Sequence, residues 1–227
     1  FVTALDMAGI TFHGARHENA AISMAEGYAY ASGSLGIAVV GRGPATANGL
    51  HAAVYAARTG SRVLIIYGDA AFGTSSTNAL GPDYKAFNAL GVLTAAGLQV
   101  LRATSAAGAR TTLADATGLA MQGNAVALLL PTSIQLAKLE WDDADPAPSV
   151  VVPETQAESA RPEAVQSAVD CLGRSQRPLI IAGLGAHRAG ARDALEQLAD
   201  RLGALILTTA RAREMFRGHP YQIGIIG

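Results

Sequence analysis

Charge is scarce in this sequence. Aspartate, glutamate, lysine and arginine make up 15% of its 227 residues, and their signs nearly cancel to a formal net charge of −1. With half of the residues hydrophobic, the chain has the apolar content for a buried core and too little charge for a disordered segment. No basic run occurs, which argues against nucleic acid and anionic membrane as partners. There is one cysteine, Cys171. No disulfide can form within the chain, as suits a reducing cytoplasm. Cys171 lies at an apolar helical spacing in "VQSAVDCLGRS" and is expected to be a buried structural thiol rather than a nucleophile. No apolar stretch reaches the length of a membrane span, and no signal peptide pattern is present. The histidines at 13, 51, 187 and 219 stand apart, with no cysteine or carboxylate at ligand spacing, so no metal site is assigned. No Ser-His-Asp arrangement is supported either.

What is there is an alternation. Short apolar runs at 9–14, 36–41, 62–68, 125–131, 177–183 and 204–209 read as strands, most of them continuously apolar, as strands covered on both faces are. Between them, 17–32, 45–59, 108–123, 162–174 and 188–202 read as helices long enough to be crossovers. The pattern predicts an α/β fold with a doubly wound, mostly parallel sheet, followed by part of a second Rossmann-like α/β domain. Gly33, Gly60 and Gly203 sit where helices should end. Pro131 closes a strand, and Pro162 sits near the first position of a helix. Residues 138–161 lose periodicity and gather acids, prolines and hydroxyls, which marks a linker. The expected domains are therefore 1–137 and 162–227. The chain opens inside an element at Phe1 and closes on "YQIGIIG", so it reads as a fragment with a truncated N-terminus.

Two stretches carry candidate chemistry. In "RHENAAISMAEGYA" (16–29), Glu18 falls in the first turn of a helix. The exposed N–H groups and the macrodipole favour a carboxylate there by roughly 0.3–1 kcal/mol, and this accounts for Glu18 without any catalysis. The small residues Ala20, Ala21, Ala25, Gly27 and Ala29 predict close approach of another backbone. In "GRGPATANGLHAAVYAA" (41–57), a strand ends in a Gly43-Pro44 turn and a helix carrying Asn48 follows. Such loops, at the carboxyl ends of strands in open α/β sheets, are where ligands bind, although a plain strand-to-helix turn explains the pattern equally well. Gly43 is suited to let backbone approach a ligand closely.

Taken in order, Arg16-His17-Glu18, Gly27-Tyr28-Ala29, Ser32-Gly33 and Gly43-Pro44-Ala45-Thr46-Ala47-Asn48 resemble the pyrimidine-binding domain of the thiamine diphosphate enzymes of the acetolactate synthase, benzoylformate decarboxylase and benzaldehyde lyase superfamily. The resemblance covers most of residues 1–137, and 162–227 resemble the middle domain. It implies a lyase or carboligase acting on a 2-oxo acid or acyloin-type substrate. It implies that Glu18 hydrogen-bonds N1′ of the cofactor's aminopyrimidine from a dry pocket that raises its pKa, and that Gly43, Pro44 and Asn48 line the pyrimidine pocket. It also implies a homo-oligomer with the cofactor between subunits, and Mg²⁺ held with the diphosphate by a Gly-Asp-Gly domain that this chain lacks. Gly68-Asp69 is followed by Ala70 and does not match that motif. Some relatives bind FAD or ADP in the middle domain. Here "GLGAHRAG" (183–190) lacks the third glycine of the dinucleotide fingerprint, so FAD is unsupported and a structural turn is expected. Two departures stand out. Ala45 replaces the usual third residue of Gly-Pro-Gly, and no glutamine is evident after the third strand, where Gly81 or Lys85 falls. These motivate a rival reading, a non-catalytic member or scaffold that kept the fold and lost the cofactor chemistry. A plain nucleotide-binding oxidoreductase is disfavoured by the incomplete glycine turn and by the basic stretch after 204–209.

Overall fold

The structure, a computed structural model, describes residues 1–71, 85–138, 146–152 and 159–227. The chain divides into two compact units, Phe1–Thr155 and Gln156–Gly227. In the first, a short helix α1 (Val2–Met7) leads through an irregular stretch to α2 (Glu18–Ser32). Then follow β1 (Gly36–Val40), α3 (Pro44–Arg58), β2 (Val63–Asp69), α4 (Ala89–Ala95), β3 (Gln99–Arg102), α5 (Ala106–Met121), β4 (Ala125–Pro131) and α6 (Thr132–Gln135). The four strands form a parallel sheet in the order β1-β2-β4-β3.

Burial follows position in that sheet. The central strands β2 and β4 are buried almost throughout, whereas β1 and β3 at the edges alternate or lie half-open. Side chains alternate across the pleat with period two. Val63, Ile65, Tyr67, Ala125, Ala127 and Leu129 join the core beneath α2 and α3. Leu64, Ile66, Val126 and Leu128 join a second core with Ala116 and Ala120 of α5. Both faces are therefore covered, as the continuous apolar runs predict.

The second unit carries α7 (Pro162–Gly173), β5 (Leu179–Ala182), α8 (Leu184–Arg188), α9 (Arg192–Leu202), β6 (Leu205–Thr209), a 3₁₀ turn (Ala210–Ala212) and β7 (Gln222–Ile226). Its three strands are parallel in the order β5-β6-β7. Ala182, Ala199, Ile206, Met215 and Phe216 form its core.

Three expectations change. Residues 9–14 form no strand; they are irregular and exposed. Gly9 adopts φ +69°, and no strand among the described residues lies beside the run to satisfy its backbone groups. The helix expected over 188–202 starts four residues later, as α9; a separate short helix, α8, ends at Arg188, and Gly190 between them has a φ of +63°, which ends a helical path. Cys171 is exposed, not buried, because no residue of α7 is buried. The punctuation holds: Gly33 and Gly203 are left-handed C-caps, Gly60 has φ +61°, Pro162 opens α7 and Pro131 ends β4. Within the region read as a linker, 146–152 are irregular. The carbonyl of Val151 lies against Gly118 of α5, where a side chain would collide with it. Residues 139–145 and 153–158 fall outside the described residues.

At the carboxyl ends of the strands, Asp69 is 6% exposed. Its Oδ1 accepts the Ala70 N–H at 2.8 Å, and its Oδ2 lies 2.7 Å from Nε of Arg102. Asp69 pairs in register with Pro131, and Arg102 with Leu129, so the ion pair reaches across the end of β4 and ties β2 to β3. Two residues earlier on β2, Tyr67 is fully buried and its hydroxyl has no hydrogen-bond partner among the described residues. Burial pushes its pKa up. The two sites should answer mutation in opposite senses. Arg102→Ala removes the charge facing a buried carboxylate and should cost about 1–3 kcal/mol, partial exposure of the arginine moderating the loss. Tyr67→Phe removes an unmatched hydroxyl and should be neutral or stabilising by up to about 1 kcal/mol. Urea unfolding midpoints of the two variants check this; a larger loss for Tyr67→Phe would contradict it.

Candidate functional site

His17 places Glu18. It is the N-cap of α2, in extended backbone, and its Nδ1 accepts the Asn19 N–H at 3.1 Å. Glu18 is thereby the first helical residue, where the helix dipole favours a carboxylate. Because α2 feeds β1 through Gly33, its N-terminus lies at the carboxyl end of the sheet, beside the loop that follows β1.

That loop is governed by Gly43. Its φ of +73° and ψ of −124° suit only glycine, and the backbone carbonyl of Lys85 occupies the space a side chain would need. Gly43 was expected to admit a ligand; the backbone it admits is that of Lys85. Pro44 follows at the first position of α3 with its ring exposed. Ala45 lies within α3, and no non-glycine residue among those described has positive φ, so its methyl introduces no backbone strain. Lys85 itself is exposed, and Gly81 lies outside the described residues.

The site closes through the packing of α2 on α3. Gly49 is buried in that contact. A Cβ there would sit 2.8 Å from Cδ1 of Ile22 and 3.5 Å from Cβ of Glu18. The close approach brings Asn48 Nδ2 within 3.3 Å of Glu18 Oε2, to which it donates. Glu18 Oε1 is left without a hydrogen-bond partner among the described residues. One residue along α2, Asn19 Oδ1 accepts the backbone N–H of Ala52 at 2.9 Å. Of the expected set, Glu18 and Asn48 therefore meet, and Gly43 and Pro44 form the loop that starts the helix carrying Asn48. Asn19 escaped the sequence reading. Its signal was available: an asparagine, a poor helix former, in the first turn of an alanine-rich helix.

Glu18 is half-buried rather than enclosed, so the described residues do not supply the dry pocket expected around it. What they offer is a helix-start carboxylate with one oxygen tied to Asn48 and the other free to meet a donor or acceptor. This fits the ring-nitrogen half of an aminopyrimidine. No group of three or more metal-ligating side chains occurs among the described residues, so no step here is assigned to Mg²⁺. In the second unit, Gly183 precedes α8, a helix of five residues. No helix among the described residues is long and apolar enough to cross a membrane.

Residues 1–90 match the family model for the thiamine pyrophosphate enzyme N-terminal TPP binding domain, and residues 165–227 match that for the thiamine pyrophosphate enzyme central domain. A probable acetolactate synthase large subunit of Methanococcus aeolicus is 28% identical over 218 residues, covering 93% of this chain and 35% of that protein. An acetolactate synthase of Arthrospira platensis is 24% identical over 216 residues, covering 93% and 36%. A probable acetolactate synthase large subunit of Methanocaldococcus jannaschii is 27% identical over 220 residues, again covering 93% and 36%. The chain thus spans about a third of the length of these relatives. With both domain models matched in order on two parallel α/β units, the chain belongs to the thiamine pyrophosphate enzyme family and carries its N-terminal cofactor-binding domain together with residues of its central domain.

Proposed function

We propose that the protein to which this chain belongs is a thiamine diphosphate-dependent, acetolactate synthase-like carbon–carbon lyase or transferase acting on a 2-oxo acid or acyloin-type substrate. The observation that carries the reading is the Glu18–Asn48 pair at the carboxyl end of β1, within a domain of the thiamine pyrophosphate family. When bound, the cofactor supplies the electron sink for making or breaking a bond beside a carbonyl carbon.

The chain's own residues orient and proton-couple that cofactor. Asn48 holds Oε2 of Glu18 and leaves Oε1 for N1′ of the aminopyrimidine, where Glu18 would hold or give up a proton. Gly43 and Pro44, in the loop that starts α3, would line the pyrimidine pocket. Diphosphate and Mg²⁺ are assigned to a domain outside this sequence. The half-exposed carboxylate and the exposed Met24, Tyr28 and Tyr55 on α2 and α3 support a homo-oligomer in which a second subunit closes the site and dries it. Residues 1–137 act as the pyrimidine-binding domain, and 162–227 belong to the middle domain. An exposed, unpaired Cys171 suits a reducing compartment such as the cytoplasm.

Glu18→Gln in the full-length protein is expected to lower turnover of a 2-oxo acid by about 10²-fold or more, the range for losing a positioned proton-transfer group, and to weaken cofactor binding measured calorimetrically with Mg²⁺. Wild-type turnover at limiting cofactor would remove Glu18 from this role. Failure of the unmutated protein to bind the cofactor at all would favour the rival, a family member that kept the fold and lost the chemistry.

A further inference from the structure

From the contacts between α2 and α3 we infer that Asn19 is a positioning residue, fixing where the Glu18 carboxylate stands by clamping the start of α2 to α3. The inference rests on the function proposed for Glu18 and extends it to a side chain that touches neither cofactor nor substrate.

The bond from the Ala52 N–H to Asn19 Oδ1, 2.9 Å long, lies in the interior of α3. Ala52 already has a helical acceptor four residues back, and that residue is Asn48. The N–H of Ala52 would be satisfied without Asn19, so the second acceptor is not required to meet a buried donor. Its effect is to locate. It ties α2 to the same turn of α3 whose side chain, Asn48, grips Glu18. Glu18 thereby stands between two anchors on its own helix. On one side, the His17 imidazole accepts the Asn19 N–H and sets the helix start. On the other, the Asn19 side chain sets the height of α2 against α3. The two cross-helix bonds, 18 to 48 and 19 to 52, are one turn apart on α3 and resist both sliding and rotation. Gly49 lies between them without a side chain, which lets these short residues reach. Ile22 seats against Gly49 as one steric knob, but the buried alanines around it, Ala25, Ala52, Ala53 and Ala56, are smooth, so the Asn19 bond adds a directional constraint that packing of methyl groups does not supply.

The test is a double-mutant cycle in the full-length protein with Mg²⁺. Asn19→Leu keeps the branching and heavy-atom count and removes the acceptor; Asn19→Asp keeps an acceptor oxygen at the same distance. Asn19→Leu should lower kcat by about tenfold or more, as a displacement approaching 1 Å at a proton-transfer group does. It should also weaken thiamine diphosphate binding by calorimetry. Asn19→Asp should stay within about threefold of the parent in both. In the Glu18→Gln background, Asn19→Leu should add little to either loss, because its effect passes through Glu18. Additive losses would assign Asn19 to the fold alone and overturn the inference, as would an Asn19→Leu protein with unchanged kcat and affinity. Should Asn19→Leu not fold, Asn19→Ser takes its place, and loss of folding in both also overturns it. A Glu18→Gln protein that behaves as the parent fails the underlying function instead, so the two failures are told apart.

Discussion

The first unit depends on how closely α2 and α3 approach. Their shared surface is made of alanines, Ile22 and a glycine that could not be replaced without pushing the helices apart. Because the contact is so shallow, residues with short reach become neighbours across it. Glutamate and asparagine side chains, separated by thirty residues in sequence, then meet across it. A bulkier interface would bury more apolar area, and would hold the same polar atoms too far apart to touch. Hydrophobic burial in this pair of helices is modest by design of composition, and the difference is made up beneath it, where β2 and β4 are covered on both faces.

The sheet supplies the fixed reference for that pair. Parallel strands of strongly apolar sequence form a rigid floor, and each strand delivers its following loop to the same end of the sheet. Gly43 and the Lys85 backbone interlock there, and the Asp69–Arg102 pair spans the end of β4 nearby. The loop bearing Pro44 is therefore held from below by β1 and from the side by a segment forty residues away. The start of α3, and with it Asn48, inherits that rigidity.

Much of this was legible in the sequence where the physics is local. Five of the six apolar runs are strands because unbroken apolar character in five to seven residues has few other outcomes between helices. The left-handed C-caps at Gly33 and Gly203 follow from the absence of a Cβ, and Pro162 from its fixed φ. What was not legible depends on neighbours. Residues 9–14 have strand composition but no strand beside them. β3, four residues with Gln99 and Arg102 at its ends, and β7, beginning at Gln222, are edge strands whose polar ends mask their pairing. Cys171 has the spacing of a buried residue on a helix that buries none. At the site, the order and spacing of Glu18, Gly43, Pro44 and Asn48 pointed to one family, whereas the contact made by Gly43 is with a distant carbonyl. Asn19 matters through a backbone N–H that no sequence pattern marks.

The exposure of Cys171 has a practical consequence. A solitary thiol on the surface of α7 is a unique chemical address, reachable by maleimides or nitroxide reagents without removing any other cysteine from this sequence. It lies on the second unit, more than a hundred residues from Glu18, in a helix with no buried side chain to disturb. A fluorophore or spin label attached there would report on the central domain alone, making it possible to watch that domain while ligands are offered to the first.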